Sequence, residues 1–159
     1  MKACLCIFLI LFFATLILNG QSDKDLYHLE KDSVPVSRQP YKRYFIKDKF
    51  GRKITFYLSE EYAGKESSLP LVVFVQGSGC GSLFGQRGGR IYPTYGHASV
   101  EEAAKGKARV LIVEKPGVNF LAQPPDCLNA REFNREHTLE RWSEAIVASI
   151  RASQRLKSI

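Results

Sequence analysis

The chain has 159 residues, a net charge of +7 and four cysteines. This length is enough for one modest domain. Lysines and arginines are spread along the chain and are not interleaved with stacking aromatic residues, so the charge excludes a recognisable nucleic-acid-binding module. We expect a solvated basic surface that attracts anions at long range and no nucleic-acid partner.

The N-terminus has the pattern of a secretory signal. Met1-Lys2 precedes an unbroken apolar run, Ala3–Leu18, which small and polar residues follow. We expect residues 1–20 to be a signal peptide cut after Gly20, and the protein to be secreted or periplasmic. Leu18 is the third residue before this cut, where a small residue is usual, so an uncleaved N-terminal anchor is the alternative. Such an anchor is the only membrane contact that we expect.

The cysteines separate into two groups. Cys4 and Cys6 lie inside the apolar run rather than at its end, which argues against a lipoprotein attachment site. Removal of the signal leaves Cys80 and Cys127. Two cysteines in an exported protein are usually bridged, and two separate buried thiols are the alternative. No set of side chains has metal-ligand spacing, so we expect no metal and no cofactor.

Residues 21–40 are polar, contain two prolines and predict a leader with little fixed structure. The domain is expected over residues 41–159. The segment YKRYFIKD alternates apolar and polar side chains, Asp48–Gly51 is a turn signal, and KITFYLSEEY alternates again. These features predict an antiparallel hairpin.

The stretch LPLVVFVQGSGCG begins with a third strand, Leu69–Val75, buried on both faces, and ends in a loop rich in glycine. An irregular stretch is expected next. A capping box at Ser99 and Glu102 predicts the start of a short helix that stops at Gly106. Residues 109–113 predict a fourth strand.

A second irregular stretch is expected to about Asn134, followed by an amphipathic helix over HTLERWSEAIVASIRASQRL. A strand–helix–strand unit predicts a parallel pair of strands, so the fold class is α/β. The face expected to pack is formed by residues at helical spacing: Leu139, Trp142, Ile146, Ser149, Ile150 and Ser153.

This order of an opening hairpin, a strand ending in a glycine-rich loop, a helix, a strand and a long helix resembles the N-terminal half of an α/β-hydrolase. The resemblance covers roughly residues 41–156. It implies that the loop Gln76–Gly79 occupies the place of the family's His-Gly motif, with Gln76 replacing the usual histidine. It further implies an oxyanion hole in which the backbone N–H of Ser78 is the donor and Gly77 sets the turn.

The resemblance implies that the catalytic triad lies outside this sequence. The family's G-x-S-x-G elbow is absent, and Ser78 stands one position away from its place in such a motif. His28, His97 and His137 do not fit the family's order, and local capping or solvent exposure is expected for the last two. We therefore expect no catalytic residue here, and a truncated esterase-like or peptidase-like hydrolase whose complete parent acts on a small-molecule or peptide substrate.

The same resemblance bears on the cysteines. In this family the third and fourth strands are neighbours, so the loops that follow them leave the sheet side by side. Cys80 lies in one loop and Cys127 in the other. A disulfide between them is therefore predicted.

Two other functions are considered. A dinucleotide-binding module would use the glycines after the third strand and Glu114 at the end of the next, although these glycines do not directly open a helix. A non-enzymatic secreted binding protein could retain half of the hydrolase fold. It would have to cover the edge of the third strand with the leader, with residues 82–95 or with a partner.

Overall fold

The computed structural model describes residues 30–32, 41–59, 69–127 and 130–156. The predicted signal peptide and most of the predicted leader lie outside these ranges. The elements, in chain order, are the strands and helices β1 (Glu30–Asp32), β2 (Tyr41–Lys47), β3 (Lys53–Ser59), β4 (Leu71–Phe74), β5 (Phe84–Arg87), β6 (Arg90–Pro93), α1 (His97–Ala104), β7 (Arg109–Val113), α2 (Ala130–Glu136) and α3 (Leu139–Leu156).

The predicted opening hairpin is confirmed. Strands β2 and β3 pair antiparallel, with Tyr44 opposite Phe56 and Ile46 opposite Ile54. Gly51 has a φ of 72°, which glycine adopts without steric cost, and its N–H donates to the carbonyl of Asp48 at 2.9 Å. The alternating pattern and the turn residues therefore determine this hairpin locally.

Strand β1 lies within the segment predicted to be a leader. Its three residues pair antiparallel with β2, Lys31 opposite Tyr44. The expectation of little fixed structure therefore does not hold for residues 30–32. Backbone pairing with an exposed sheet edge explains the difference, because such pairing needs no apolar pattern in the added strand.

The main sheet has the strand order β1-β2-β3-β7-β4. Strands β4 and β7 are parallel, with Val72 beside Val110, whereas β3 and β7 are antiparallel. Helix α1 connects the parallel pair, as the strand–helix–strand pattern predicts. The mixed sheet with helices confirms an α/β fold.

Strand β4 lies at the edge of the described sheet. Its neighbour within that sheet is β7, and Val72 and Val75 are 38% and 51% exposed. The prediction that this strand is buried on both faces is therefore wrong, because an edge position leaves part of it open to solvent. Of the segments expected to cover this edge, β1 pairs at the opposite side of the sheet and β5–β6 forms a separate two-stranded sheet. Neither hydrogen-bonds to β4 as a strand.

Two elements occupy stretches that were expected to be irregular. Strands β5 and β6 form a tight hairpin whose turn contains Gly88 and Gly89, both with positive φ. The hairpin is stabilised from outside, because Phe84 is fully buried against the rings of Tyr41 and Tyr57. The short helix α2 is the second such element.

The core lies on both faces of the sheet, because alternate residues of each strand point to opposite sides. One face packs against α3, and the other packs against α1 and the segment around β5. The buried residues of the first cluster include Ile46, Ile54, Phe56, Leu111 and Val113, and those of the second include Tyr57, Phe84, Val110 and Ile112.

Helix α3 follows its predicted range, and its predicted face is confirmed in part: Ser149 and Ser153 are buried, and Trp142 and Ile150 pack against the core. Leu139 is 84% exposed, while Ala145, Ala148 and Ala152 are buried against the sheet. These small residues allow the helix backbone to approach the strands closely. The buried hydroxyl of Ser149 donates to the carbonyl of Ala145 at 2.8 Å, which satisfies it within the helix.

Helix α1 starts two residues before the predicted capping box. Its N-cap is Gly96, which makes no side-chain capping bond, and Gly106 follows its end with a φ of 69°, as expected. The prediction of capping or exposure for His97 is wrong. Its ring is fully buried, with Nε2 at 2.9 Å from the carbonyl oxygen of Leu83 and Nδ1 at 3.4 Å from the Tyr41 hydroxyl.

Replacing Ala148 by leucine should lower the free energy of unfolding by about 1–3 kcal/mol, because the added side chain has no space between α3 and the sheet. Urea denaturation measures this. The matched control is Val147→Leu, at a neighbouring position that is 37% exposed, which should leave stability nearly unchanged. Equal effects of the two substitutions would contradict the observed face of the helix.

Candidate functional site

A pocket of about 270 Å³ lies where β4 and β7 end. Parallel strands commonly present ligand sites at their carboxyl ends. Three parts of the chain line it: the loop after β4, Lys115 shortly after the end of β7, and the junction of α2 and α3. The lining residues are Gln76, Gly77, Ser78, Lys115, Phe133, Asn134, His137 and Trp142.

The loop after β4 is anchored at its start and exposed in its middle. Gln76 is buried, and its Nε2 donates to the carbonyl of Gly81 at 2.8 Å, which closes the loop. Residues 77–79 are exposed. A Cβ added to Gly81 would clash with the Tyr95 hydroxyl and lie 2.8 Å from Oε1 of Gln123, so a larger residue there requires these two side chains to move.

This loop leads into β5 rather than into a helix. It therefore lacks the strand–turn–helix arrangement in which a dinucleotide-binding motif places its glycines. The dinucleotide-binding alternative receives no support from the described residues.

Lys115 determines how the loop is oriented. Its Nζ donates hydrogen bonds to the carbonyl oxygens of Gly77 and Gly79. The peptide after Gly77 is trans, so its N–H, which belongs to Ser78, points opposite to the carbonyl and away from Lys115. Within the described residues the Ser78 N–H makes no hydrogen bond. It is thus a backbone donor on an exposed loop.

The neighbouring residue, Glu114, binds the segment that leads into β5 rather than the glycine-rich loop. Its carboxylate accepts hydrogen bonds from the Ser82 hydroxyl at 2.8 Å and from the Leu83 N–H at 3.1 Å. Burial raises the pKa of Glu114 to about 7, and the hydrogen bonds from Ser82 and Leu83 oppose that shift. Glu114 therefore fixes the segment that leads into β5.

The loops that follow β4 and β7 are joined to each other. The Cys80 and Cys127 sulfurs are at disulfide distance, with Cα atoms 5.7 Å apart, which confirms the predicted pair. The N–H of Ser82 donates to the carbonyl of Ala122 at 2.7 Å. Nε2 of Gln123 donates to the carbonyl of Ser82 at 3.0 Å. One covalent bond and several hydrogen bonds therefore hold this side of the pocket.

Aromatic side chains form the opposite wall. The His137 ring lies 4.1 Å from the Phe133 ring and 6.1 Å from the Trp142 ring, measured between centroids. His137 is only partly exposed. Of the two roles expected for it, capping or solvent exposure, full exposure is therefore not observed. Burial, together with the Lys115 ammonium, lowers the pKa of His137 to about 4, so the ring is neutral at pH 7.

A buried ion network positions this wall. Arg52, next to the β2–β3 turn, binds Asp48 at 2.5 Å and Glu136 at 3.1 Å, and donates to the carbonyl of Arg141 at 2.6 Å. Arg141 binds the same Glu136 carboxylate at 2.9 Å. The network connects the hairpin to the α2–α3 junction, which carries His137.

Sequence reasoning identified only part of this site. Ser78 and Gly77 lie on the pocket wall, but Lys115, His137 and Trp142 were not recognised as lining residues. A signal for Lys115 was present, since Glu114 and Lys115 together separate a fully buried strand from a Pro-Gly turn. Within the described ranges no group of three His, Cys, Asp or Glu side chains could hold a metal ion.

No protein-family model, curated protein or solved structure matches this chain. In the part of the chain that the structure describes, none of the helices is long and apolar enough to span a bilayer. The functional proposal therefore rests on the fold and on the geometry of the pocket.

Breaking the Cys80–Cys127 bond should lower the free energy of unfolding by up to about 4 kcal/mol, because the bond closes a loop of 47 residues in the unfolded chain. Urea denaturation of the oxidised protein and of the Cys80→Ser/Cys127→Ser variant measures the difference. Free thiols at both positions in non-reducing intact-mass analysis would show that the bond does not form.

The Glu136 network should make stability depend on pH. Burial alone would raise the pKa of Glu136, but hydrogen bonds from Arg135, Arg141 and Arg52 outweigh it and hold the pKa at about 2, below the usual 4.5. The stabilisation is therefore present above pH 4.5 and lost as pH falls from about 4.5 to 2.

Glu136→Gln should remove that dependence and cost about 1–3 kcal/mol at pH 7, because the arginines lose a charged acceptor. Thermal unfolding of both proteins from pH 7 to pH 2 checks this. Glu140→Gln is the control, since the Glu140 side chain is 73% exposed. Parallel curves for wild type and Glu136→Gln would exclude the role assigned to the network.

Proposed function

We propose that this chain carries the oxyanion-loop half of an α/β-hydrolase-type serine hydrolase whose complete form cleaves an ester or amide bond. The supporting fold observation is that β7 lies between β3 and β4, parallel to β4 and beside the opening hairpin. Neighbouring third and fourth core strands next to an antiparallel hairpin are what the family resemblance implies.

The exposed Ser78 N–H is the single observation on which the chemistry depends. Acyl transfer develops negative charge on a carbonyl oxygen, and one preorganised N–H donor to that oxygen contributes about 3–4 kcal/mol in comparable enzymes. Lys115 binds the Gly77 carbonyl oxygen, so the Ser78 N–H on the same peptide points away from Lys115. A donor fixed in this way needs no reorganisation when the charge develops.

The contacts of the described serines support the expectation that the nucleophile is not among them. No serine hydroxyl in the described ranges is hydrogen-bonded to a histidine: Ser82 donates to Glu114, while His97 faces Leu83 and Tyr41. A serine hydrolase needs its nucleophile within hydrogen-bond reach of a base. The chain alone should therefore lack triad-dependent activity.

Purified protein should hydrolyse p-nitrophenyl acetate no faster than an equal concentration of the same protein unfolded in urea and corrected for solvent. A serine-directed fluorophosphonate should neither change the rate nor label the protein. Turnover that the inhibitor blocks would contradict the absence of a triad. Reading the coding DNA past codon 159 tests the parent activity, because an in-frame strand followed by G-x-S-x-G is expected.

A secreted binding protein is the second candidate, and the pocket itself favours it. The aromatic wall and the loop after β4 form a concave site in which no described serine is hydrogen-bonded to a histidine. A natural stop after codon 159, with no elbow-coding sequence downstream, would support this candidate over the hydrolase.

A further inference from the structure

Lys115 places a buried positive charge on the pocket wall. The residue is only 4% exposed, and both hydrogen-bond acceptors of its Nζ are neutral backbone carbonyls. Among the described residues no carboxylate lies within ion-pair distance of Nζ. A buried charge without a counter-ion is costly, so the pocket favours an anion.

The charges around Lys115 do not neutralise it at close range. Glu114 is adjacent in sequence and attracts the ammonium, but its oxygens bind Ser82 and Leu83. His137, on the facing helix junction, is neutral at pH 7. Arg52 and Glu136 have opposite effects on the pKa of His137 and bind each other at 3.1 Å.

The rest of the pocket suits an apolar body. Phe133, His137 and Trp142 provide ring surfaces, and Asn134 adds one amide. The volume of about 270 Å³ is slightly below the range of about 300–1,000 Å³ that is usual for drug-sized ligands. A small ligand with one polar end therefore fits better than a nucleotide or an oligosaccharide.

We propose that this pocket binds a small organic carboxylate, with the carboxylate against the Lys115 ammonium and an apolar or aromatic body against the rings of Phe133, His137 and Trp142. One cation and no arginine among the lining residues favour a monoanion over a phosphate dianion, which is usually bound by several donors. Binding needs no nucleophile, so the inference goes beyond the hydrolase proposal and can fail separately from it.

Trp142 makes the test direct, because it is the only tryptophan in the chain and lines the pocket. Its fluorescence is followed during titration with phenylacetate, with the neutral phenylacetamide and with inorganic phosphate, at constant ionic strength. Phenylacetate should bind at least about tenfold more tightly than the amide, and phosphate should bind more weakly than phenylacetate. Equal affinity for acid and amide, or tighter binding of phosphate, overturns the proposal.

Lys115→Met should abolish the preference for phenylacetate over the amide. Lys107→Met, which removes one positive charge at an exposed position, should retain it. Retention of the preference in folded Lys115→Met would show that the general positive charge causes it and would overturn the proposal. Circular dichroism checks that both variants fold.

Wild-type protein provides a test that does not depend on the folding of Lys115→Met. Burial lowers the pKa of Lys115, so affinity for phenylacetate should fall as the ammonium loses its proton at alkaline pH, while affinity for the amide stays constant. The measurement is repeated in Glu114→Gln, which removes the nearby carboxyl titration near pH 7. A pH-independent ratio of the two affinities in both proteins would contradict the inference.

Discussion

The parallel pairing of β4 with β7 is the constraint on which the rest of the site depends. Parallel neighbours end at the same edge of a sheet, so the loops that follow Phe74 and Val113 leave it side by side. The disulfide, the hydrogen bonds of Lys115 to the glycine-rich loop and the pocket all require this adjacency. An antiparallel pairing would separate the two loops by the length of a strand.

Two consecutive charged residues after β7 bind different parts of the neighbouring loop. Glu114 binds the segment entering β5 on one side, and Lys115 binds the glycine-rich loop on the other. The two side chains thus hold consecutive parts of one loop, Gly77 to Leu83, from the end of a single strand. Their burial gives the site both rigidity and the positive charge that the pocket presents.

Local sequence patterns predicted the elements that depend mainly on nearest neighbours. The hairpin of β2 and β3, strand β7 and helix α3 each have clear periodicity or turn residues. The β5–β6 hairpin and helix α2 were missed because their stability comes from distant contacts: Phe84 packs on Tyr41 and Tyr57, and Glu136 binds Arg52. The face of α3 was predicted in part: the alanines that pack on the sheet, which carry little periodic signal, were left out of it, and the exposed Leu139 was included.

From the residues alone, the chain determined an α/β arrangement, a glycine-rich loop after an apolar strand and, with the family resemblance, the Cys80–Cys127 pair. Those features follow from periodicity, glycine conformation and strand adjacency. Only the tertiary structure decided that Lys115 hydrogen-bonds to the glycine-rich loop, that His97 is buried and that His137 and Trp142 line the pocket. The reason is physical: these placements depend on which side chains fill the space between the sheet and the helices, which no local spacing encodes.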